Sequence, residues 1–257
     1  TGFDSGAYGN RDLPTPNIDR LAAEGMRFTH AFTGTAMCAP SRQQLYTGLH
    51  AVRSGAYPNH SVVRDGTRSL VHHFRDLGYR VGLTGKEHFG PEESFPFERL
   101  RSNGADRPRS AVDLDAARRF IARDPDQPFF LVVASNSPHT PWTEGDRSLF
   151  DADAVEVPGY LVDTPGTREA LVAYYAEITH LDQQLGVVRA ALDESGERSE
   201  TIVLYTSEQG AALPFAKWTL YDAGVRTAMV VRWPGRVAPG STSDAMVHYV
   251  DVLPTLM

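Results

Sequence analysis

Pro128-Phe129-Phe130-Leu131-Val132-Val133-Ala134 is almost wholly apolar and is bounded by the polar stretches 123–127 and 135–140. A strand with one wet face would alternate. A short continuous apolar run instead predicts a strand covered on both faces, near the middle of a sheet. Working outward, residues 79–84 read as a second strand, preceded by a helix over 69–77 that Gly78 closes. Residues 111–122 read as a helix, 142–167 as a long surface loop and 168–192 as a long amphipathic helix. Residues 201–205 (TIVLY) and 227–233 add two more strands, the first of them buried. Towards the amino terminus, Thr15-Pro16 opens a helix with Ile18, Leu21 and Ala22 on one face and Gly25 at its end. Residues 26–32 form a strand, and 41–47 a helical turn after Pro40. Helices alternating with short apolar strands predict an α/β fold, a mostly parallel central sheet with helices on both faces. Ligands of such folds bind beyond the carboxyl ends of the strands. The polar residues that end each apolar run should therefore meet: Lys86 and His88, His139, and Glu208 with Gln209.

Bulk composition narrows the classes. The 257 residues suffice for one sizeable core or two small ones. A net charge of −7 gives no general attraction to nucleic acid or to an anionic membrane, so any anion must be held by a local basic site. No apolar run is long enough to span a bilayer. Cys38 is the single cysteine, so an intrachain disulfide is excluded. Of 25 basic residues only Lys86 and Lys217 are lysines. Where arginine serves almost everywhere else, a retained ammonium suggests a need for a compact point charge.

The stretch Cys38-Ala39-Pro40-Ser41-Arg42, followed by Gln43-Gln44-Leu45-Tyr46-Thr47-Gly48, concentrates the chemistry. A lone cysteine is most often a small buried hydrophobe. Here it stands just before a helix start with an arginine four residues on, and both favour an anion at that position. Spacing alone is compatible with a thiolate nucleophile of the phosphatase kind. The full pattern, Cys-x-Pro-Ser-Arg and then Gly after five residues, resembles the signature of the formylglycine-dependent sulfatases. The resemblance implies an alkaline-phosphatase-like fold. It also implies conversion of Cys38 to formylglycine by a maturation enzyme, and attack of the hydrated aldehyde on sulfur with a divalent cation holding one hydroxyl. Gly85-Lys86-Glu87-His88 is similar to the family's Gly-Lys-x-His, and Pro138-His139-Thr140-Pro141 to its Pro-His-x-Pro. Arg42, Lys86, His88, His139 and Lys217 are thereby implied to surround the sulfate. Ser207-Glu208-Gln209-Gly210 stands where the family usually has Asp-Asn or Asp-His before Gly, which makes Cys38, Glu208 and Gln209 the implied metal ligands. Each of the last two is a methylene longer than the family's residue, which favours the tolerant coordination of calcium over that of magnesium.

Three segments, Phe3-Asp4-Ser5-Gly6-Ala7-Tyr8, Gly85 through Glu92 with Phe95-Pro96-Phe97, and Val157 through Pro165, are similar to the heparan N-sulfatase branch. That branch implies removal of the N-sulfate of glucosamine from a sulfated saccharide. Phosphate or phosphonate ester hydrolases, O-sulfatases of the same superfamily, and an inactive binder of sulfated glycans are the alternatives. The resemblance covers essentially all 257 residues and predicts one catalytic domain, cut at both ends. A first strand ending in two metal-binding aspartates should lie upstream of Thr1, and a C-terminal subdomain should follow. Location is not readable. A leader on the upstream segment would imply a periplasmic, secreted or lysosome-like protein, and its lack a cytoplasmic one. Oligomeric state is likewise unassigned.

Overall fold

The computed structural model describes residues 2, 4–101 and 111–257; Thr1 and Phe3, the latter part of a segment used above, lie outside the described residues. It is an α/β fold with a central mixed sheet flanked by helices. In chain order the regular elements are α1 (Pro16–Glu24), β1 (Met26–Phe32), α2 (Cys38–Thr47), α3 (Ala51–Ser54), α4 (Leu70–Asp76), β2 (Arg80–Gly85) and β3 (Glu98–Arg99). There follow α5 (Leu114–Ala122), β4 (Phe129–Ala134), α6 (Pro165–Ser195), β5 (Val203–Thr206), α7 (Asp222–Val225), β6 (Arg226–Arg232), β7 (Ser241–His248) and α8 (Val252–Leu256).

The strands form two hydrogen-bonded groups, ordered β3-β2-β4 and β5-β6-β1-β7. The first group is parallel throughout. In the second, β1 runs parallel to β7 and antiparallel to β6, which runs antiparallel to β5. Alternation decides which helices cover which face. Phe130 and Val132 of β4 pack with Tyr46, Leu70, Phe74 and Leu253, which come from α2, α4 and α8. Phe129 and Leu131 pack with Phe120 and Ile121 of α5 and Leu192 of α6. In the second group, Tyr205, Ala228 and Val230 meet Ile18 and Leu21 of α1, while Met229 meets Tyr249 on the opposite side. Helices thus lie on both faces, as the alternation of elements predicts.

Several expectations need correction. The apolar run of β4 is not central: β4 is an edge of its group, and most of its residues are only half buried. β5 is likewise an edge and mostly half buried. The two edges face each other across a cavity of about 700 Å³ whose lining includes Phe129 through Ala134 and Val203 through Thr206. Helix α2 begins at Cys38, earlier than expected, because Pro40 falls in its first turn, where a missing N–H costs nothing. Thr15 flanks α1 without capping it through its side chain; its hydroxyl instead donates to Asp19 and accepts from the Gly6 amide. The α1 amides of Asn17 and Ile18 are capped by the Asp182 carboxylate of α6. β7 went unread because half of its residues are exposed and none is buried, so no apolar period marks it.

Candidate active site

Three strand ends and one helix start build the site. β2 ends at Gly85, whose φ of 95° turns the chain sharply. A Cβ there would lie 2.2 Å from the Ala134 carbonyl oxygen, so the position needs glycine on two counts. Lys86 follows and is held to the neighbouring strand by its amide, which donates to that carbonyl at 2.8 Å. His88 comes next with φ of 54°, in the left-handed region that non-glycine residues seldom occupy. Such backbone persists where the surroundings over-determine it, often at functional sites. β4 leads to His139, and β5 to Glu208 and Gln209.

Glu208 is the electrostatic centre. Its carboxylate accepts a hydrogen bond from Arg42 Nε, and its Oε2 lies 3.6 Å from Lys86 Nζ. Arg42 also donates to the Lys86 carbonyl at 3.0 Å. Burial pushes the Glu208 carboxyl up, but Arg42, Lys86 and a hydrogen bond from Cys38 outweigh it, and the net shift is strongly down. Burial opposes the charge of Arg42, but Glu208, with Tyr46 and Cys38 adding to it, raises its pKa. This is a largely shielded ion triad, with Lys86 buried and Arg42 and Glu208 partly so, in which removing one partner strands the others.

Cys38 is buried as the first residue of α2, after Met37, which caps nothing with its side chain. The sulfur sits 3.5 Å from Gln209 Nε2. It thus occupies the positive end of a helix, beside an amide and a carboxylate, and not an apolar core. Lys217 is nearly buried, with its ammonium 5.2 Å from the centroid of the Trp218 ring. The Trp218 amide donates to the Ala36 carbonyl at 2.9 Å, tying this loop to the approach to α2.

The two histidines are set differently. His139 Nδ1 donates to the Thr140 carbonyl at 2.6 Å, leaving the Nε2 lone pair as its other polar atom. Burial, then Lys86 and Lys217, lower its pKa against that hydrogen bond. His88 is held down to about 4 by burial, with Lys86 and His60 adding to it. Both rings are therefore neutral near pH 7.

The structure brings Cys38, Arg42, Lys86, His88, His139, Glu208, Gln209 and Lys217 into one electrostatic neighbourhood. Chain alternation and strand-end position located Lys86, His88, His139, Glu208 and Gln209; Cys38, Arg42 and Lys217 came from motif resemblance. Sequence reading missed Tyr46, a fully buried phenol beside Arg42, because it reads as an ordinary helical apolar residue. It also missed His60, whose Nδ1 lies 2.8 Å from His88 Nε2.

For a hard cation beside Cys38 the described residues offer the Glu208 carboxylate and the Gln209 amide oxygen, which is the right donor chemistry. Calcium takes about six to eight oxygens, so the set is incomplete. Among the described residues no group of three or more His, Cys, Asp or Glu is gathered to hold a metal.

Comparison with known proteins gives the family and the fold. The sulfatase family profile matches residues 1–257. An ulvan-active sulfatase of Formosa agariphila is 33% identical over 99% of this chain and 51% of its own length. Human N-sulphoglucosamine sulphohydrolase is 32% identical over 100% of this chain and 58% of its own length. The phosphonate monoester hydrolase of Agrobacterium radiobacter shares the fold at a TM-score of 0.79 with 21% identity, covering 99% of this chain and 70% of that one. The chain thus spans between half and three fifths of the length of these two curated relatives.

Proposed function

We propose, from the premise that this chain belongs to the sulfatase family, that it is the greater part of a catalytic domain that hydrolyses a sulfate group from a sulfated saccharide. The observation that carries this reading is the convergence of Cys38, Arg42, Lys86 and Glu208 at the start of α2, with His139 and Lys217 in the same electrostatic field. Lys86, Lys217 and the two histidines would hold the sulfate. The ammoniums neutralise its charge and oppose the charge that moves to the leaving atom, in a pocket where such donors act more strongly than in water. Arg42 keeps the Glu208 carboxylate ionised and turned toward position 38. His139, with its proton committed to Thr140, offers Nε2 as a proton acceptor beside the reacting groups.

Position 38 would act as formylglycine, made by a maturation enzyme. A divalent cation held by positions 38, 208 and 209 would polarise the attacking hydroxyl, calcium suiting the longer side chains better than magnesium. The remaining ligands would come from a strand preceding Thr1 that fills the slot between β4 and β5. Gly2 supports that path. Its amide donates to the Gln209 carbonyl at 3.1 Å, and its own carbonyl accepts from Ala228 N–H at 2.8 Å, so the chain enters at the carboxyl end of β5.

The N-sulfate of glucosamine is the favoured target, on the three segments shared with heparan N-sulfatases and the human relative. The similarity to an ulvan-active sulfatase supports a polysaccharide such as ulvan as the alternative target. The test takes the longer protein, expressed with a maturation enzyme and calcium. N-sulfoglucosamine, a sulfated ulvan oligosaccharide and an aryl phosphonate are assayed side by side, with mass spectrometry of the Cys38 peptide. Conversion of Cys38 and release of sulfate support the reading. A fully converted protein that cleaves only the phosphonate overturns it.

A further inference from the structure

His60 and His88 are far apart in sequence, and both are held at positive φ, 65° and 54°. Their rings stand 4.7 Å apart between centroids, with His60 Nδ1 2.8 Å from His88 Nε2. On its other side His60 Nε2 lies 3.1 Å from Asn59 Nδ2. Asn59 Oδ1 in turn accepts from the Ala39 amide at 3.4 Å, in the first turn of α2. The loop carrying these residues is pinned at both ends. The buried Gln43 donates to the Ser61 carbonyl at 2.9 Å and accepts from the Val63 amide at 3.1 Å, and that amide also donates to the Gly90 carbonyl.

The direction of this chain can be worked out from one fixed point. A backbone amide only donates, so Asn59 must turn its oxygen to Ala39 and its NH₂ to His60. His60 Nε2 must then accept, which leaves the proton of the neutral ring on Nδ1. That proton is donated to His88 Nε2, and His88 must carry its own proton on Nδ1.

We propose that His60 is a positioning residue for His88: through the chain Ala39–Asn59–His60–His88 it fixes the ring of His88 with its proton on Nδ1, and so selects which atom of His88 donates to an anion in the site. The significance for catalysis rests on the reading of the site as a sulfatase centre; the tautomer does not. A ring whose other nitrogen is held by a partner keeps one tautomer and one orientation, the same logic by which outer partners orient metal-bound histidines.

The test is spectroscopic. Two-bond ¹⁵N–¹H correlation of ¹⁵N-histidine-labelled protein at pH 7.5 reads each ring's tautomer. His88 of the native chain is expected to show a protonated Nδ1 and a bare Nε2. His60→Gly suits the positive φ while deleting the ring, so a native backbone spectrum is expected apart from the loop. In that variant the Nδ1–H signature of His88 should be lost, and added imidazole should restore it. A native His88 protonated on Nε2 overturns the proposal, as does a signature that survives His60→Gly or stays lost with imidazole present. A correct tautomer in a protein that cleaves no sulfated sugar would instead count against the proposed function.

Discussion

Lys86 and Lys217 are the only lysines in the chain, and both are nearly buried beside the same carboxylate and histidine cluster. Burying an ammonium is costly unless a partner repays it, and Glu208 does so for Lys86 at 3.6 Å. If that ammonium also stabilises charge in the transition state, Lys86→Ala should lower kcat by about 10²-fold or more in the mature, longer protein. Unchanged turnover would remove Lys86 from the catalytic set. His88 gives a second test at this scale. Its pKa is depressed from an ordinary 6.5 to about 4. Between those values the unfolded chain binds a proton that the folded chain does not, so stability rises with pH across this window and is lost as pH falls through it. His88→Gln should therefore flatten the fall in Tm between pH 6.5 and 4, measured against the native chain. An unaltered slope would mean that the ring is not held neutral in the fold.

At the scale of the element, the join between α1 and α6 shows how one side chain can do the work of a cap. Asp182 accepts from the Asn17 and Ile18 amides at 3.1 and 2.8 Å and from Asn17 Nδ2 at 2.8 Å. It is nearly inaccessible, and burial raises its pKa against those hydrogen bonds. Asp182→Ala strands donors at a helix start and should cost about 1–3 kcal/mol, read by urea unfolding. A loss well under that range would show that Thr15 or water can take over the cap. The start of α2 follows a different rule. Its N-cap residue Met37 supplies no side-chain cap, and in its first turn the Ala39 amide donates to Asn59 Oδ1 instead, beside Cys38.

For the whole molecule the decisive feature is the slot between β4 and β5. Its floor and roof are the two helical layers, with Leu185 and Val188 of α6 on one side and Tyr46 and Leu256 on the other. One end opens on Arg42, Lys86, His139 and Glu208. Two apolar edge strands facing each other across such a space offer a full set of backbone donors and acceptors to a strand running between them. A form of the protein carrying residues before Thr1 should therefore show slowed amide exchange along β4 and β5 relative to residues 1–257 alone. It should also take up calcium, seen as an added rise in Tm with the metal. Equal exchange in the two forms would leave the slot without its proposed strand.

The run 128–134 is apolar on both sides because helices cover both faces of β4, and that much was legible from residue type alone. So were the strand-end positions of Lys86, His139 and Glu208, since a polar residue after an apolar run marks where a buried strand emerges. The motif around Cys38 was equally local. The edge position of β4 was not legible, because apolar residues report that a face is covered and say nothing of which strand lies alongside. β7 was invisible for the converse reason: its hydrogen bonds to β1 come from the backbone, which carries no sequence signal. Nor could the sequence pair Arg42 with Glu208, or His60 with His88, across 166 and 28 residues. Those contacts depend on where distant segments return in space, and only the tertiary structure decided them: it sets the start of α2 against the end of β5, and it pins loop 59–63 between α2 and the segment after β2.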